Sequence, residues 1–323
     1  MDALSQMLAL IPVSGRLDVR CQFGVPWRIE EPVTAYCDIR YHVLLTGAAR
    51  VEDGLGPAQL LRPGDIVLFP GGAPHTLHDG SGLPPVPATV DTAGHVAVVS
   101  SGPDGTGTDL LCGRFRVPAA AQPLLLQHLP ARLVVRSAVQ DIDGRDGAQV
   151  LAAGSRLSRL IGLMREEAHE QGPGSEALLN HLSAALFGLA LRLASLTDAP
   201  PPGLLALARA SPLRPAVEAM LAQPGDDWSL RALAARCNMS RATFIRHFTV
   251  ACGASPSVFL LGIRMAMACR QLVDTRLSIA AIGEQVGYRS DAAFQRAFKK
   301  HLGVTPARWR ADARAAQSSA AGG

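Results

Sequence analysis

The stretch VGYRSDAAFQRAFKKHLGVTPARWR, Val286–Arg310, repeats a pattern already present 50 residues earlier in CNMSRATFIRHFTVACGASPSVFL, Cys237–Leu260. Under this shift identical residues coincide at positions that include Ser240/Ser290, Phe244/Phe294, Arg246/Arg296, Phe248/Phe298, Gly253/Gly303 and Pro256/Pro306. A second appearance of the same pattern at a fixed distance indicates one supersecondary unit that the chain uses twice.

Each copy predicts two short helices joined by a tight turn. The first helix of each copy begins after a serine, Ser229 or Ser278, and carries apolar residues at helical spacing. Ser240 and Ser290 are predicted N-caps of the second helices, because a serine oxygen accepts a hydrogen bond from the unpaired amides at a helix start. A helix, a turn and a second capped helix form the helix-turn-helix arrangement.

The second helices carry phenylalanines on one face and small and basic residues on the opposite face. We expect the phenylalanines, four residues apart, to lie in the core. Arg246 and Arg296 occupy the same outward position in both copies, and a guanidinium group suits the edge of guanine in the major groove. The alternative is that these arginines are ordinary solvated charges. The predicted DNA-binding residues are Ser240, Arg241, Ala242, Ile245, Arg246, Ser290, Ala292, Ala293, Gln295, Arg296 and Lys299.

A long helix is predicted between the copies, from Ser255–Pro256 to about Asp274. About 18 residues at ~1.5 Å each make it roughly 27 Å long, whereas one turn of DNA is ~34 Å. One rigid chain therefore sets two second helices toward successive major grooves at slightly short spacing. We expect either bending of the DNA or incomplete insertion of one helix.

Charge is distributed unevenly along the 323 residues. From Ser229 to Asp312 there are 13 Lys and Arg against 4 Asp and Glu, a net of +9, although the whole chain has a net charge of only +4. The rest of the chain is therefore net acidic. A basic module joined to an acidic one favours nucleic-acid binding at the C-terminal end.

These residues resemble the AraC/XylS family of bacterial transcription regulators over Trp228–Arg310. The second copy, IAAIGEQVGYRSDAAFQRAFKKHLGVTPARWR, is similar to that family's signature almost residue by residue. The resemblance implies an all-α double helix-turn-helix domain that binds double-stranded promoter DNA. It also implies base contacts at the positions that here are Ala242, Ile245, Arg246, Ala292, Ala293 and Arg296. The bases that these side chains contact remain open.

The N-terminal half has short apolar runs between Gly and Pro turns, which predicts strands. The segment GDIVLFPGGAPH, Gly64–His75, is similar to the second motif of cupin barrels at every fixed position. The first-motif region, RYHVLLTG, supplies only His42, without the second histidine and the glutamate of metal-dependent cupins. His42, His75 and His78 are weak candidates for a metal site; the alternative is that they are structural histidines of the barrel. The stretch Gly80–Thr108 is predicted to be a long loop.

Two cysteines in this half are candidates for redox sensing. The segments MDALSQMLALIPVSGRLDVRCQFGVPW, RYHVLLTGAA, LRPGDIVLFP and LLCGRF resemble the AraC-type regulators that respond to oxidants such as hypochlorous acid. That resemblance implies that Cys21 and Cys112 are the redox pair. Arg20, Arg114 and Arg116 stand near them in the sequence, and positive charge favours a reactive thiolate. The alternative is that both are buried strand cysteines with no redox role.

Together these observations predict an α+β chain of two domains. We expect a cupin-like sensory β-barrel (residues 1–118), a helical extension and linker that forms a candidate dimer interface (119–211), a double helix-turn-helix domain (212–313) and a disordered tail (314–323). The predicted protein is a cytoplasmic transcription activator that works with RNA polymerase, has no cofactor and spans no membrane. The alternatives are a barrel that binds a small organic effector or a metal, and a metal-dependent cupin enzyme with a DNA-binding appendage.

Overall fold

The computed structural model describes residues 2–34, 38–102, 107–119, 121–137, 147–170, 172–197 and 199–321. These residues group into two compact units. The barrel unit comprises Pro12–Pro118 and Leu129–Pro201, and the helical unit comprises Met1–Ile11, Ala119–His128 and Pro202–Gly323.

The elements follow one another in a strand-rich part and a helical part. Up to residue 135 they are α1 (Ala3–Leu10), β1 (Ser14–Phe23), β2 (Arg28–Glu31), β3 (Asp38–Thr46), β4 (Ala49–Glu52), β5 (Gln59–Leu61), β6 (Ile66–Phe69), β7 (His75–His78), β8 (Thr89–Asp91), β9 (Ala97–Ser101), β10 (Thr108–Arg116), α2 (Gln122–His128) and β11 (Leu133–Val135). After it they are α3 (Gly147–Glu170), α4 (Ser175–Ser195), α5 (Leu204–Arg209), a 3-10 turn (Ser211–Leu213), α6 (Arg214–Ala222), α7 (Leu230–Arg236), α8 (Arg241–Cys252), α9 (Pro256–Asp274), α10 (Ile279–Gln285), α11 (Asp291–Leu302) and α12 (Pro306–Ala321).

The barrel unit is built from two sheets that enclose a common apolar core. One sheet has the strand order β11-β6-β3-β10-β1-β9-β8, and the other has the order β2-β7-β4-β5. Alternate residues of the strands point inward, and the enclosed side chains are mainly aliphatic or aromatic, among them Trp27, Leu44, Phe69, Leu77 and Leu110. This is the cupin-like barrel that the sequence predicted.

The segment expected to be a long loop, Gly80–Thr108, instead contributes two strands to the first sheet. β9 pairs in parallel with β1, and β8 pairs with β9 at the edge. The residues of β8 are exposed, which explains why no hydrophobic alternation marked it in the sequence. Residues 103–106 lie outside the described part of the chain.

The helices α3 and α4 pack against each other, and α4 also covers β1. Gly15 of β1 allows this close approach, because a Cβ atom there would lie 2.4 Å from atoms of Ser183. The buried hydroxyl of Tyr41 is 3.0 Å from that of Ser183, so the contact between helix and sheet also includes a hydrogen bond. The helical extension is thus a layer of the barrel unit.

The helical unit contains the repeat as two helix pairs, α7–α8 and α10–α11. Each second helix ends at a glycine with positive φ, Gly253 at +74° and Gly303 at +78°, where an L side chain is strained. The phenylalanines of both copies are fully buried, as predicted, and those of α11 pack with Ile282, Val286 and Leu272.

The connecting helix α9 spans 19 residues and begins after the cap Ser255, which confirms its predicted bounds. Its buried residues include Phe259, Ile263 and Leu272. By length and composition α9 and α4 are each apolar enough to cross a membrane. A core helix passes the same test, and both of these helices pack within their own units.

The grouping of residues differs from the predicted domain boundaries. Residues 1–11 and 119–128 fold with the helical unit, because α1 packs on α5, α6 and α9 and α2 packs on α9. The units divide at Pro201–Pro202, within the segment 119–211 expected to hold the helical extension and linker. Most of the tail predicted to be disordered, 314–323, continues α12 to Ala321, since alanine favours helix.

Candidate functional site

The second helices α8 and α11 begin at the serines that the sequence singled out. Ser240 Oγ accepts a hydrogen bond from the Thr243 amide at 3.2 Å, and Ser290 Oγ accepts one from the Ala293 amide at 3.3 Å. Both capping roles are therefore confirmed. The caps fix where each helix starts, so the outward side chains of the two copies occupy equivalent positions.

The predicted DNA-binding side chains lie on open faces of these two helices. Arg241, Ala242, Arg246, Ala292, Gln295, Arg296 and Lys299 are exposed, and Ile245 and Ala293 are partly exposed. Among the described residues neither Arg246 nor Arg296 has an ion-pair partner. Gln295 Nε2 donates a hydrogen bond to Asp291 Oδ2 at 2.8 Å, so this amide would have to leave a neighbouring carboxylate to contact a base. Contact of these side chains with DNA stays a prediction.

In the barrel, Cys21 and Cys112 lie on adjacent antiparallel strands and face the same interior. Cys21 of β1 is paired with Leu110, and Cys112 of β10 is paired with Val19, so the two cysteines are diagonal neighbours. The two side chains are close enough for Cys21 to raise the pKa of the Cys112 thiol. Each cysteine is only 4% exposed, and the structure holds both as free thiols.

Two buried histidines extend this thiol pair into a chain of hydrogen bonds. His42 of β3 is paired in register with Cys112, and its Nδ1 lies 3.0 Å from Cys112 Sγ. His42 Nε2 lies 2.8 Å from Nε2 of His75, which belongs to β7 in the other sheet. His75 Nδ1 in turn lies 2.9 Å from the carbonyl oxygen of Ala73. We call Cys21, Cys112, His42 and His75 the thiol–histidine chain.

The carbonyl at one end fixes the direction of every hydrogen bond in the neutral chain. A carbonyl oxygen only accepts, so His75 Nδ1 carries a proton and its Nε2 is an acceptor. His42 must then donate from Nε2, which leaves its Nδ1 unprotonated. The Cys112 thiol therefore donates to His42 Nδ1.

Burial keeps this chain neutral. The pKa of Cys112 is raised well above its usual value, first by the neighbouring Cys21 side chain and then by burial. The pKa of His42 is lowered well below its usual value by burial and by the nearby His75 and Arg40. Burial likewise lowers the pKa of His75. The resting state of Cys112 is therefore a thiol beside neutral imidazoles, and the thiolate expected for it is wrong.

The arginines expected to activate the thiols are engaged elsewhere. Arg20, next to Cys21, points to the other face of β1 and pairs with Asp109 at 2.6 Å. Arg114 pairs with Asp18 at 2.9 Å, and Arg116 lies 3.5 Å from Asp38. Carboxylates thus neutralise the positive charge that proximity in the sequence had suggested.

The three histidines proposed as metal ligands do not converge. His78 lies on the strand of His75 but is 3.3 Å from Glu52 and accepts a hydrogen bond from the Gly80 amide. Within the described residues no group of three His, Cys, Asp or Glu side chains is arranged to hold a metal ion. The polar partners of His42 and His75 are each other, Cys112 and Ala73.

An acidic cleft of about 670 Å³ opens at the His75 end of the chain. Its walls include Glu31, Glu52 and Asp53 together with His75. Glu31 faces His75 across the β2–β7 pair, and burial raises its pKa. The thiol–histidine chain therefore runs from the core of the barrel toward a carboxylate-lined surface.

The other described cysteines lie in the helical unit. Cys237, Cys252 and Cys269 are buried, as expected for core residues. Burial raises the pKa of each thiol, that of Cys252 to about 12. Cys37 lies outside the described residues.

Both halves of the chain match known protein families. Residues 2–195 match the family described as Cupin, and residues 233–312 match the family described as Helix-turn-helix domain. The chain is 29% identical over 310 residues to the RCS-specific HTH-type transcriptional activator RclR of Escherichia coli K12. The aligned region covers 96% of this chain and 97% of that protein.

The chain is also 27% identical over 314 residues to the HTH-type transcriptional regulator MtrA of Neisseria gonorrhoeae. That aligned region covers 96% of this chain and 98% of MtrA. A solved structure of the DNA-binding domain of AdpA, the global transcriptional factor, in complex with a target DNA is 33% identical. It covers 33% of this chain and 96% of that domain, with a TM-score of 0.32.

The hydrogen-bond directions predict the proton positions of the two histidines. At neutral pH, nitrogen-15 NMR of the reduced protein is expected to show His42 protonated at Nε2 and His75 protonated at Nδ1.

The lowered histidine pKa values also predict how the stability of the barrel unit depends on pH. Because the pKa values of His42 and His75 are both lowered in the fold, the unfolded chain binds more protons below its ordinary histidine pKa of ~6.5. Stability of the barrel unit should therefore fall as the pH drops below about 6.5. A histidine at either position that titrates normally would contradict the buried neutral chain.

Proposed function

The chain belongs to the AraC-type helix-turn-helix regulators that carry an N-terminal cupin domain, and we propose that its cupin domain senses oxidants through Cys21 and Cys112. The chain is a DNA-binding transcriptional regulator, as its relatives are. The proposal concerns which residues bind the DNA and which residues receive the signal.

For DNA binding, the proposal rests on the equivalent faces of α8 and α11. Both begin at a serine cap, both bury a pair of phenylalanines, and both present an exposed arginine, Arg246 or Arg296, that has no ion-pair partner in the part of the chain that the structure describes. The small side chains Ala242 and Ala292 beside these arginines allow close approach to base edges. We assign base contact to the arginines and phosphate contact to Lys299.

For sensing, the proposal rests on the diagonal placement of two buried thiols on paired strands, one of which, that of Cys112, is hydrogen-bonded to His42. An oxidised cysteine needs a second thiol nearby to form a disulfide, and here the two cysteines are diagonal neighbours on paired strands and face the same interior. The name of RclR describes it as RCS-specific, which agrees with a chlorine-containing oxidant as the signal. The cysteine strands β1 and β10 also continue in the chain directly into Met1–Ile11 and Ala119–His128 of the helical unit.

The remaining parts of the proposed function follow from regulation at a promoter. The protein acts in the cytoplasm, as an activator that contacts RNA polymerase, and α3 or α4 supplies the surface for a homodimer. Leu151, Leu163 and Leu178 are the exposed leucines of these helices.

The barrel serves as a sensor rather than as an enzyme, since its first cupin motif offers His42 alone and His42 is hydrogen-bonded to a thiol.

Replacing either arginine should weaken binding to the target promoter. Arg246→Ala and Arg296→Ala are each expected to cost about 1–3 kcal/mol and to relax specificity in one of two adjacent groove segments. Lys299→Ala should weaken all sequences alike and lower the salt dependence. Titrations of promoter and random DNA measure both effects, with Arg308→Ala as the control because Arg308 lies near Asp312 on α12. An equal loss on random DNA would show that the arginines do not discriminate bases.

Removing either thiol should abolish the oxidant response while DNA binding by the reduced protein persists. Cys21→Ser and Cys112→Ser are expected to hold promoter output at its unstimulated level after hypochlorous acid treatment, because neither variant can form the disulfide. Cys237→Ser is the matched control, since Cys237 is a buried thiol of the helical unit. A full response in both barrel variants would exclude the thiol switch and leave DNA binding unaffected.

A further inference from the structure

The thiol–histidine chain contains two residues to which the sensing reaction has so far given no role. His42 touches the thiol of Cys112 at 3.0 Å, and His75 touches His42 at 2.8 Å on the side away from the thiol. Both imidazoles are nearly inaccessible, at 1% and 4% exposure. A buried imidazole whose free nitrogen faces a thiol is placed to take up that thiol's proton.

We propose that His42 is the general base that removes the proton of Cys112 during disulfide formation, and that His75 is a positioning residue that holds His42 in the required tautomer. This inference rests on the proposed redox role of Cys21 and Cys112.

The reaction balances with one molecule of a hypohalous acid as the oxidant. Its halogen is transferred to Cys21, which gives a sulfenyl halide, and the thiol hydrogen of Cys21 leaves with the hydroxyl of the oxidant as water. Cys112 then passes its proton to His42 Nδ1 while its sulfur attacks the sulfur of Cys21. The sulfur–sulfur bond forms and the sulfur–halogen bond breaks, so halide leaves with the electron pair. Two thiols are oxidised, and the oxidant is reduced to halide.

A resting thiol, rather than a thiolate, makes such a base necessary. The neighbouring Cys21 side chain and burial raise the pKa of Cys112, so few molecules carry the thiolate nucleophile at neutral pH. His42 is neutral and faces the thiol with an unprotonated nitrogen. Transfer of the proton as the sulfur attacks avoids forming a separate buried thiolate.

His75 fixes the tautomer of His42 that leaves Nδ1 free to take up the proton of Cys112. Its Nδ1–H is held by the Ala73 carbonyl, and its ring stacks on Phe69 at a centroid distance of 3.5 Å. His75 Nε2 is therefore an acceptor, and His42 satisfies it by keeping its own proton on Nε2. After proton uptake, His42 can pass the Nε2 proton to His75, which borders the cleft walled by Glu31, Glu52 and Asp53. The chain thus provides an exit for the proton.

The ionisable groups around His42 set the expected pH dependence. Cys112 on β10 and His75 on β7 contact it, and Arg40 on β3 lowers its pKa. Cys21 on β1 neighbours Cys112, and Glu31 on β2 lies opposite His75. Since the pKa of His42 lies well below its usual value, the base stays available at neutral pH. The rate of disulfide closure should be flat near neutrality and fall only in acid, as His42 becomes protonated.

The test measures how fast the disulfide closes in the reduced full-length protein. One equivalent of hypochlorous acid is mixed in, the reaction is stopped with acid, and alkylation and mass spectrometry report the Cys21–Cys112 linkage against time from pH 5 to pH 9. His42→Asn is expected to close about 10²-fold more slowly, with a rate that rises with pH because hydroxide replaces the base. Asn retains a hydrogen-bond acceptor for the thiol but cannot take up its proton.

Variants of His75 separate positioning from packing. His75→Gln keeps an acceptor for His42 Nε2–H and should retain nearly the wild-type rate, whereas His75→Leu removes the acceptor and should slow closure. His78→Asn is the matched control on the same strand and should close like wild type. Thermal unfolding and promoter binding of the reduced proteins show that each variant is folded.

The outcomes distinguish this inference from the function on which it rests. Equal closure rates and pH profiles in wild type and His42→Asn overturn the role of His42 and leave the thiol switch intact. Absence of the Cys21–Cys112 disulfide in wild type overturns both. A stoichiometric transition metal in the reduced protein, lost in His42→Asn, also overturns the relay, because the nitrogen would then bind a metal instead of a proton.

Discussion

The antiparallel pairing of β10 with β1 on one side and with β3 on the other is the constraint on which the sensing half depends. One register brings Cys21 diagonal to Cys112, and the other sets His42 directly opposite Cys112. A shift of one residue in either pairing would turn the cysteine or the histidine out of the core. The hydrogen bond between His42 and His75 then joins this sheet to the second one. A buried polar chain of this kind is tolerated because each member has a partner.

The DNA-binding half depends instead on local signals that occur twice. Serine caps, buried phenylalanines and C-terminal glycines define each second helix, and α9 sets the distance between the two copies. The copies are not equal in charge, since α11 ends with Lys299 and Lys300 whereas α8 ends with uncharged residues. We therefore expect α11 to contribute more phosphate contact and α8 to depend more on Arg246. We propose separate tasks for the two units, base recognition in one and thiol chemistry in the other.

The sequence alone predicted those helices, caps and strands that are encoded by local residue patterns. The helices of the repeat, their caps and α9 follow from serine, proline and 3.6-residue periodicity, and the motif ending at His75 indicated the barrel. The thiol–histidine chain was not predicted, because it joins four strands whose pairing is a long-range property. The strands β8 and β9 were missed since their residues are mostly exposed or only partly buried. The expectation that Arg20 activates the Cys21 thiol was wrong, because adjacent residues of a strand face opposite sides of the sheet.

Thiol mapping by intact-mass and peptide mass spectrometry, before and after brief treatment with equimolar hypochlorous acid, tests the central claim most directly. The account predicts loss of the two thiol hydrogens from Cys21 and Cys112 as a disulfide, while Cys237, Cys252 and Cys269 remain available for alkylation after unfolding. The oxidised and reduced forms, once separated, should differ in promoter binding or in transcription. If Cys21 and Cys112 stayed reduced while only methionines were oxidised, the barrel would not be a thiol sensor.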